Sequence, residues 1–326
     1  MLKLSLTRRQ LLWGLLGLGM TGTGAIALSQ FAQQKDKKAL FPSVSPQNTS
    51  DETYINQMKL LRDFDYGIIK KENGKIIKEF HITAINSTIK LNSAVTFNTW
   101  TYNNRIPGPT IRVKQGDRVR VIFYNQGGHA HSMHFHGLHK SEMDGVKPVR
   151  QGTANIYEFD AEPLGLHLYH CHISPVSRHI GKGLYGMFII DPPNPRPIAD
   201  EMILILGGYD VNEDGKNEFY AFNGSPNFYM DNPIKIYQNQ LIRLYVLNMI
   251  ENDPAATFHI HANMFKVYRT GSLNYSEETD VITMGTAERH ILEFAFKYPG
   301  KFMFHPHQDY IAEQGCMGQF EVIAPQ

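Results

Sequence analysis

From about Phe64 onward, apolar and polar residues alternate with a period of two over short runs, the pattern of strands half buried in a sheet. Gly67–Lys71 and Lys75–His81 flank Asn73-Gly74, a dipeptide that takes positive φ readily and predicts a tight hairpin. Residues 106–125 (IPGPTIRVKQGDRVRVIFYN) predict two more alternating strands joined by a Gln115-Gly116-Asp117 turn. No long amphipathic run of period 3.6 follows, so the expected class is all-β. The second half then repeats the first. Pro233–Asn248 matches Pro109–Asn125 in pattern, and Tyr157–His172 (YEFDAEPLGLHLYHCH) matches Leu292–His307 (LEFAFKYPGKFMFHPH) without a gap. Two tandem β-sandwich domains are therefore expected, over residues 61–193 and 194–326, divided by the proline-rich stretch at 191–197.

The N-terminal residues read differently. Thr7-Arg8-Arg9-Gln10-Leu11-Leu12 leads into an apolar, glycine-rich run that ends near Ala25-Ile26-Ala27, a small-residue cleavage site. Residues 1–27 are expected to be a twin-arginine-type signal, which places the protein in the periplasm or outside the cell. An uncleaved anchor is the competing reading, since the run approaches spanning length, but its glycines favour the signal. Residues 28–60, polar with scattered proline, are expected to be a spacer with little structure.

Composition narrows the chemistry. A net charge of +1 offers no electrostatic footprint for nucleic acid or an acidic membrane surface. Two cysteines, Cys171 and Cys316, do not make a disulfide framework. Histidine is the outlier. Its 15 copies concentrate between 129 and 179 and in two later pairs, giving four His-x-His pairs: His134/His136, His170/His172, His259/His261 and His305/His307. In an extended strand i and i+2 share a face, so His170 and His172 project to one side and Cys171 to the other. His131, three residues before His134, likewise faces away from the His134/His136 pair. With His179 on the following loop, His131 and Cys171 make a thiolate–diimidazole set of the kind that suits a type 1 copper. Leu184, five residues beyond His179, stands where an axial methionine could have been and cannot coordinate. In the second half the matching positions are Ala256, Pro306, Ile311 and Cys316, which cannot hold such a site. Eight paired imidazoles remain, too many for one ion and suited to a cluster of coppers.

HSMHFHG, LYHCH, FHIHAN and FHPH, preceded by NNRIPGPTIRV and QGDRV, resemble a two-domain multicopper oxidase, laccase-like and related to copper nitrite reductases. The resemblance implies two cupredoxin domains, Greek-key β-sandwiches, and about four coppers per chain. It assigns His131, Cys171 and His179 to type 1 copper, His134 and His259 to type 2, and His136, His170, His172, His261, His305 and His307 to the type 3 pair. It also implies oxidation of a small-molecule or metal-ion electron donor at the expense of O2, and a homotrimer with the trinuclear site between subunits. Asp144 in Met143-Asp144-Gly145 resembles the family's acidic residue beside type 2 copper, where a carboxylate relays protons; its plain alternative is a turn aspartate. Asp309 and Glu313 are weaker candidates for the same role.

Two rival functions draw on the same residues. Nitrite reduction in the related family uses one type 2 copper with three imidazoles and an aspartate where His134 stands here, leaving the extra pairs unused. A non-catalytic electron carrier needs the type 1 set alone. Asp210-Val-Asn-Glu-Asp-Gly215 imitates the start of a calcium loop, but its twelfth position is Ala221, so a hairpin turn is expected. His81, His129, His139, His167 and His290 have no ligand-spaced partner and are expected to be structural, with His129 and His139 near enough in sequence to support the ligands.

Overall fold

The computed structural model describes residues 57–275 and 277–324. The expected signal, and the expected spacer as far as residue 56, lie outside the described residues.

Four sheets stack in order, because most of their strands bury one face or both. The outermost pairs Ile68–Glu72 with Lys75–Lys90, then Arg118–Asn125 and Ala154–Asp160, with Thr96–Tyr102 added along Lys75–Lys90. The second contains Phe64–Asp65, Thr110–Lys114, Tyr185–Asp191, Gly165–His170 and the short edge strand His134–Phe135. Phe80, Ile82, Val119 and Val121 of the first sheet meet Ile111, Tyr169, Phe188 and Ile190 of the second in one core. The third sheet is built on Asp200–Tyr209, Ile242–Met249 and Arg289–Phe294, and the fourth on Ile234–Tyr237, Gly318–Ile323, Gly300–His305, Ala256–Ile260 and Val281–Met284. Between them Leu204, Leu244, Phe258, Ile260 and Phe304 form a second core. Each half is thus a two-sheet sandwich, as the repeat requires.

Sheets two and three also pack against each other, and strand composition shows why. Met187 and Ile189 alternate with Phe188 and Ile190, and Ile203 and Ile205 with Met202 and Leu204. One set enters its own domain's core, and the other enters a third cluster with Leu166, Leu168, Tyr245 and Leu247. Strands covered on both faces read as unbroken apolar runs, which is how Tyr185–Asp191 and Asp200–Tyr209 read. Ion pairs close this seam: Arg112 bonds Asp191 and Glu201, and Arg243 bonds Glu201 and Glu293.

Asn73 and Gly74, at φ 49° and 77°, make the expected hairpin. The Gln115-Gly116-Asp117 turn differs from a hairpin, since Thr110–Lys114 and Arg118–Asn125 lie in different sheets; it is a corner that carries the chain across the sandwich. The spacer boundary needs correction. Gln57–Leu60 form one helical turn, Leu60 and Leu61 are buried, and Leu61 joins the second domain's core. Tyr229 donates to the Gln57 carbonyl and the Ile203 amide to that of Leu61. Met58, Leu60 and Leu61 supply enough apolar surface to hold the segment down.

Candidate metal centres

The chain direction explains how one ribbon serves two sites. Gly165–His170 is fully buried, with Tyr169 turned into the first core and Leu166 and Leu168 into the seam. His170 follows Leu168 on the seam-facing side, while Cys171 turns back into the core. There it meets His131 and His179. Cys171 Sγ is 3.1 Å from His179 Nδ1 and 3.9 Å from His131 Nδ1, and the two nitrogens are 3.2 Å apart. Three donors at this spacing surround one point at metal–ligand range. His131 and Cys171 are fully buried and His179 is 4 % exposed. His179 rides on the helix Val176–Gly181, and Leu184, also buried, folds back so that its carbonyl accepts from the Cys171 amide. A soft thiolate with two imidazoles and an apolar fourth corner fits trigonal copper; zinc would want a fourth donor. The Ser132 amide points at Sγ from 3.4 Å, a donor that favours the thiolate, whereas burial pushes the Cys171 thiol up.

The second half keeps the scaffold and lacks the ligands. Ala256, Ile311 and Cys316 sit inside its core, and Pro306 is buried. The amide of Cys316 donates to Ile311 as that of Leu184 does to His179, each at 3.2 Å.

The eight remaining histidines form two quartets. In the first, His136 Nε2 and His170 Nε2 are 3.2 Å apart, and the His134 ring lies 4.9 Å from that of His172. In the second, His261 Nε2 and His305 Nε2 are 2.9 Å apart, and His259 lies 4.9 Å from His307. Four Nδ1 atoms are tied to backbone carbonyls: His134 to Asp144 and His259 to Asp280, each at 2.7 Å, His170 to Cys171 at 2.9 Å, and His305 to Pro306 at 2.7 Å. A carbonyl only accepts, so Nδ1 carries the proton and Nε2 keeps its lone pair for a metal. Both quartets therefore fit copper. Among the described residues, ring contacts join histidines within each quartet and none joins the two.

Asp144 has its Oδ1 3.2 Å from His134 Nδ1. Gly145, at φ 77°, permits this, because a Cβ there would run into the Met133 carbonyl. Asp280 was not singled out from sequence, yet it repeats the arrangement: its carbonyl holds His259 Nδ1 and its carboxylate stands 3.9 Å from that nitrogen. Its signal was hidden because Phe265–Arg269 and Glu277–Thr279 intervene, putting it 19 residues beyond His261 rather than eight. Asp309 and Glu313 are exposed on a short helix and, among the described residues, bond to no histidine. The Asp210 loop joins two antiparallel strands, as expected of a hairpin. His81 and His290 pair with Glu79 and Glu288, His167 and His139 bond backbone carbonyls, and His129 packs on Trp100.

Burial holds His131 and His136 down to about 3 and His170 and His179 down to about 4, each imidazole or charged neighbour adding to the effect. An unfolded imidazole takes its proton near pH 6.5. The metal-free protein should therefore be most stable above pH 6.5 and lose stability as pH falls from there towards 4, by about 1.4 kcal/mol per pH unit for each net proton that the unfolded chain takes up and the folded one does not. Thermal melts from about pH 7.5 down to about pH 4.5 should show this slope, and copper should flatten it by competing with protons.

Sequence profiles described as multicopper oxidase match residues 83–195 and again 205–326. A crystal structure of a multicopper oxidase is 45% identical with a TM-score of 0.81, covering 82% of this chain and 97% of that one. The blue copper oxidase of Nitrosomonas europaea is 27% identical with a TM-score of 0.68, over 75% of this chain and 85% of its own. The copper-containing nitrite reductase of Neisseria meningitidis is 28% identical over 265 residues, 73% of this chain and 67% of the relative; this chain spans about two thirds of such curated relatives. With both sandwiches matched in turn and a solved relative alike along nearly its whole length, this chain belongs to the multicopper oxidase family of copper oxidoreductases.

Proposed function

We propose that the chain is a laccase-like oxidase coupling one-electron oxidation of phenolic or similar donors to four-electron reduction of O2 to water. His131, Cys171 and His179 would hold type 1 copper, His134 and His259 type 2, and His136, His170, His172, His261, His305 and His307 the type 3 pair, about four coppers per chain. Bound copper would supply the one-electron redox steps and the affinity for dioxygen. The protein's own part is to bury the thiolate, exclude water with Leu184, orient the imidazoles through carbonyls, and keep carboxylates beside His134 and His259. The observation that carries the reading is the pair of matched quartets, eight imidazoles poised as ligands, which an electron carrier does not need.

The faces of the sheets support assembly of the cluster between subunits. Phe258 and Ile260 point into the second core, so His259 and His261 leave the far side of the fourth sheet. His170 leaves the second sheet towards the seam, and the third sheet lies between. One chain cannot close the two quartets on each other without unpacking that layer. A head-to-tail contact that closes into a ring, a homotrimer in this reading, brings the quartet of one copy to that of the next.

Asp144 and Asp280 are assigned to holding or passing protons at the His134 and His259 edges. Asp144→Asn or Asp280→Asn should each slow O2 turnover about ten- to hundredfold with copper content intact, as loss of a partner behind a ligand does. Full turnover in both variants would remove the assignment. The twin-arginine-type leader supports export of the folded protein to the periplasm or beyond.

Nitrite reduction is the second reading, favoured by the likeness to the Neisseria reductase. Copper-loaded protein should be offered phenols, metal ions and nitrite in turn, with oxygen uptake, nitric oxide and copper per chain measured. Oxygen uptake with about four coppers supports the oxidase; nitric oxide from nitrite without oxygen uptake overturns it.

A further inference from the structure

The type 1 ligand set is almost closed off from solvent: His131 and Cys171 are 0 % exposed and His179 only 4 %. A side chain packed on these imidazoles therefore offers an electron a far larger contact surface than the ligands themselves. Trp100, half-buried on the strand Thr96–Tyr102, makes ring contact with both imidazoles, at 4.8 Å to His179 and 5.3 Å to His131. Its amide donates to the Lys182 carbonyl at the end of the His179 helix, which pins the indole over the ligands. Beside it stand exposed His129, 4.7 Å away and itself 6.5 Å from the His131 ring, and the Arg178 guanidinium, 5.9 Å from the indole.

Resting on the type 1 assignment above, we propose that Trp100 is the electron port of that centre, a π bridge between the buried imidazoles and a flat aromatic donor docked against Trp100, His129 and Arg178. Tunnelling falls steeply with distance through saturated or empty space, and the indole is the aromatic group touching both ligands. Rings and a guanidinium at this face favour planar donors, which gain stacking and cation–π contact. In each transfer a phenol would lose one electron and release its hydroxyl proton to water, the indole would be unchanged, and a cupric ion held by His131, Cys171 and His179 would take up the electron.

The test uses copper-loaded protein, reduced by hydroquinone without oxygen while the blue band is followed by stopped flow. Trp100→Leu should bleach at least about tenfold more slowly, and Trp100→Phe, which keeps a ring, within about threefold of the parent. The reduction potential, measured by spectroelectrochemistry, should stay unchanged in both, separating path from driving force. Trp13 is the only other tryptophan in the sequence, so Trp13→Phe protein reports on Trp100 alone. Its emission should fall in step with growth of the blue band during copper titration. Parent-like bleaching in the leucine variant, or emission indifferent to copper, overturns the port. Absence of any blue band in the loaded parent would instead remove the type 1 assignment beneath it.

Discussion

Cys171→Ser should remove the blue absorption and slow oxygen consumption with phenolic donors more than about a hundredfold, beyond the ten- to hundredfold cost of disturbing a group behind a ligand. The thiolate is the soft donor of the set, and a serine hydroxyl at that point neither ionises near neutrality nor binds copper strongly. Cys171 also sits between His170 and His172 in sequence, so its backbone is the covalent link from the core site to the first quartet. Serine is nearly isosteric, and His131 and His179 remain, so the fold should survive; circular dichroism and a melt would confirm it. The six described histidines of the type 3 assignment are untouched, which predicts retained copper at the quartets. A serine variant that consumed oxygen at the parent's rate would falsify the wiring.

The second large effect concerns assembly. Val146 and Met264, 55 % and 49 % exposed, are apolar surface close in sequence to Asp144 and His261. Single exposed apolar residues are ordinary, but these lie two residues from Asp144 and three from His261. The double variant Val146→Arg, Met264→Arg should change the fold's own stability by no more than about 1 kcal/mol, as surface substitutions do. In the proposed head-to-tail ring it places like charges on both halves of the contact, so that assembly should come apart. Gel filtration should report monomers that keep the blue band, hold about one copper per chain and lose oxygen reduction almost entirely. Monomers that reduce oxygen at the original rate would show that one chain completes its own cluster, contrary to the layer order.

Much of this protein was legible in one dimension. Period-two alternation, the Asn73-Gly74 hairpin and the gapless match of 157–172 to 292–307 determined an all-β chain of two like sandwiches, because strand faces follow directly from residue parity. The same parity separated Cys171 from His170 and His172, and replacement at Ala256, Pro306 and Ile311 marked the second half as lacking the thiolate site. Other features needed the fold. Asp280 reaches His259 only after an inserted hairpin returns the chain, Leu61 belongs to the core of the distant half, and Trp100 covers ligands that lie up to 79 residues away in sequence. Sequence parity says which side of its own sheet a histidine takes. Which way that side faces depends on how the sheets stack, and stacking is set by apolar surfaces far apart in the chain, so only the tertiary structure placed the third sheet between the two quartets.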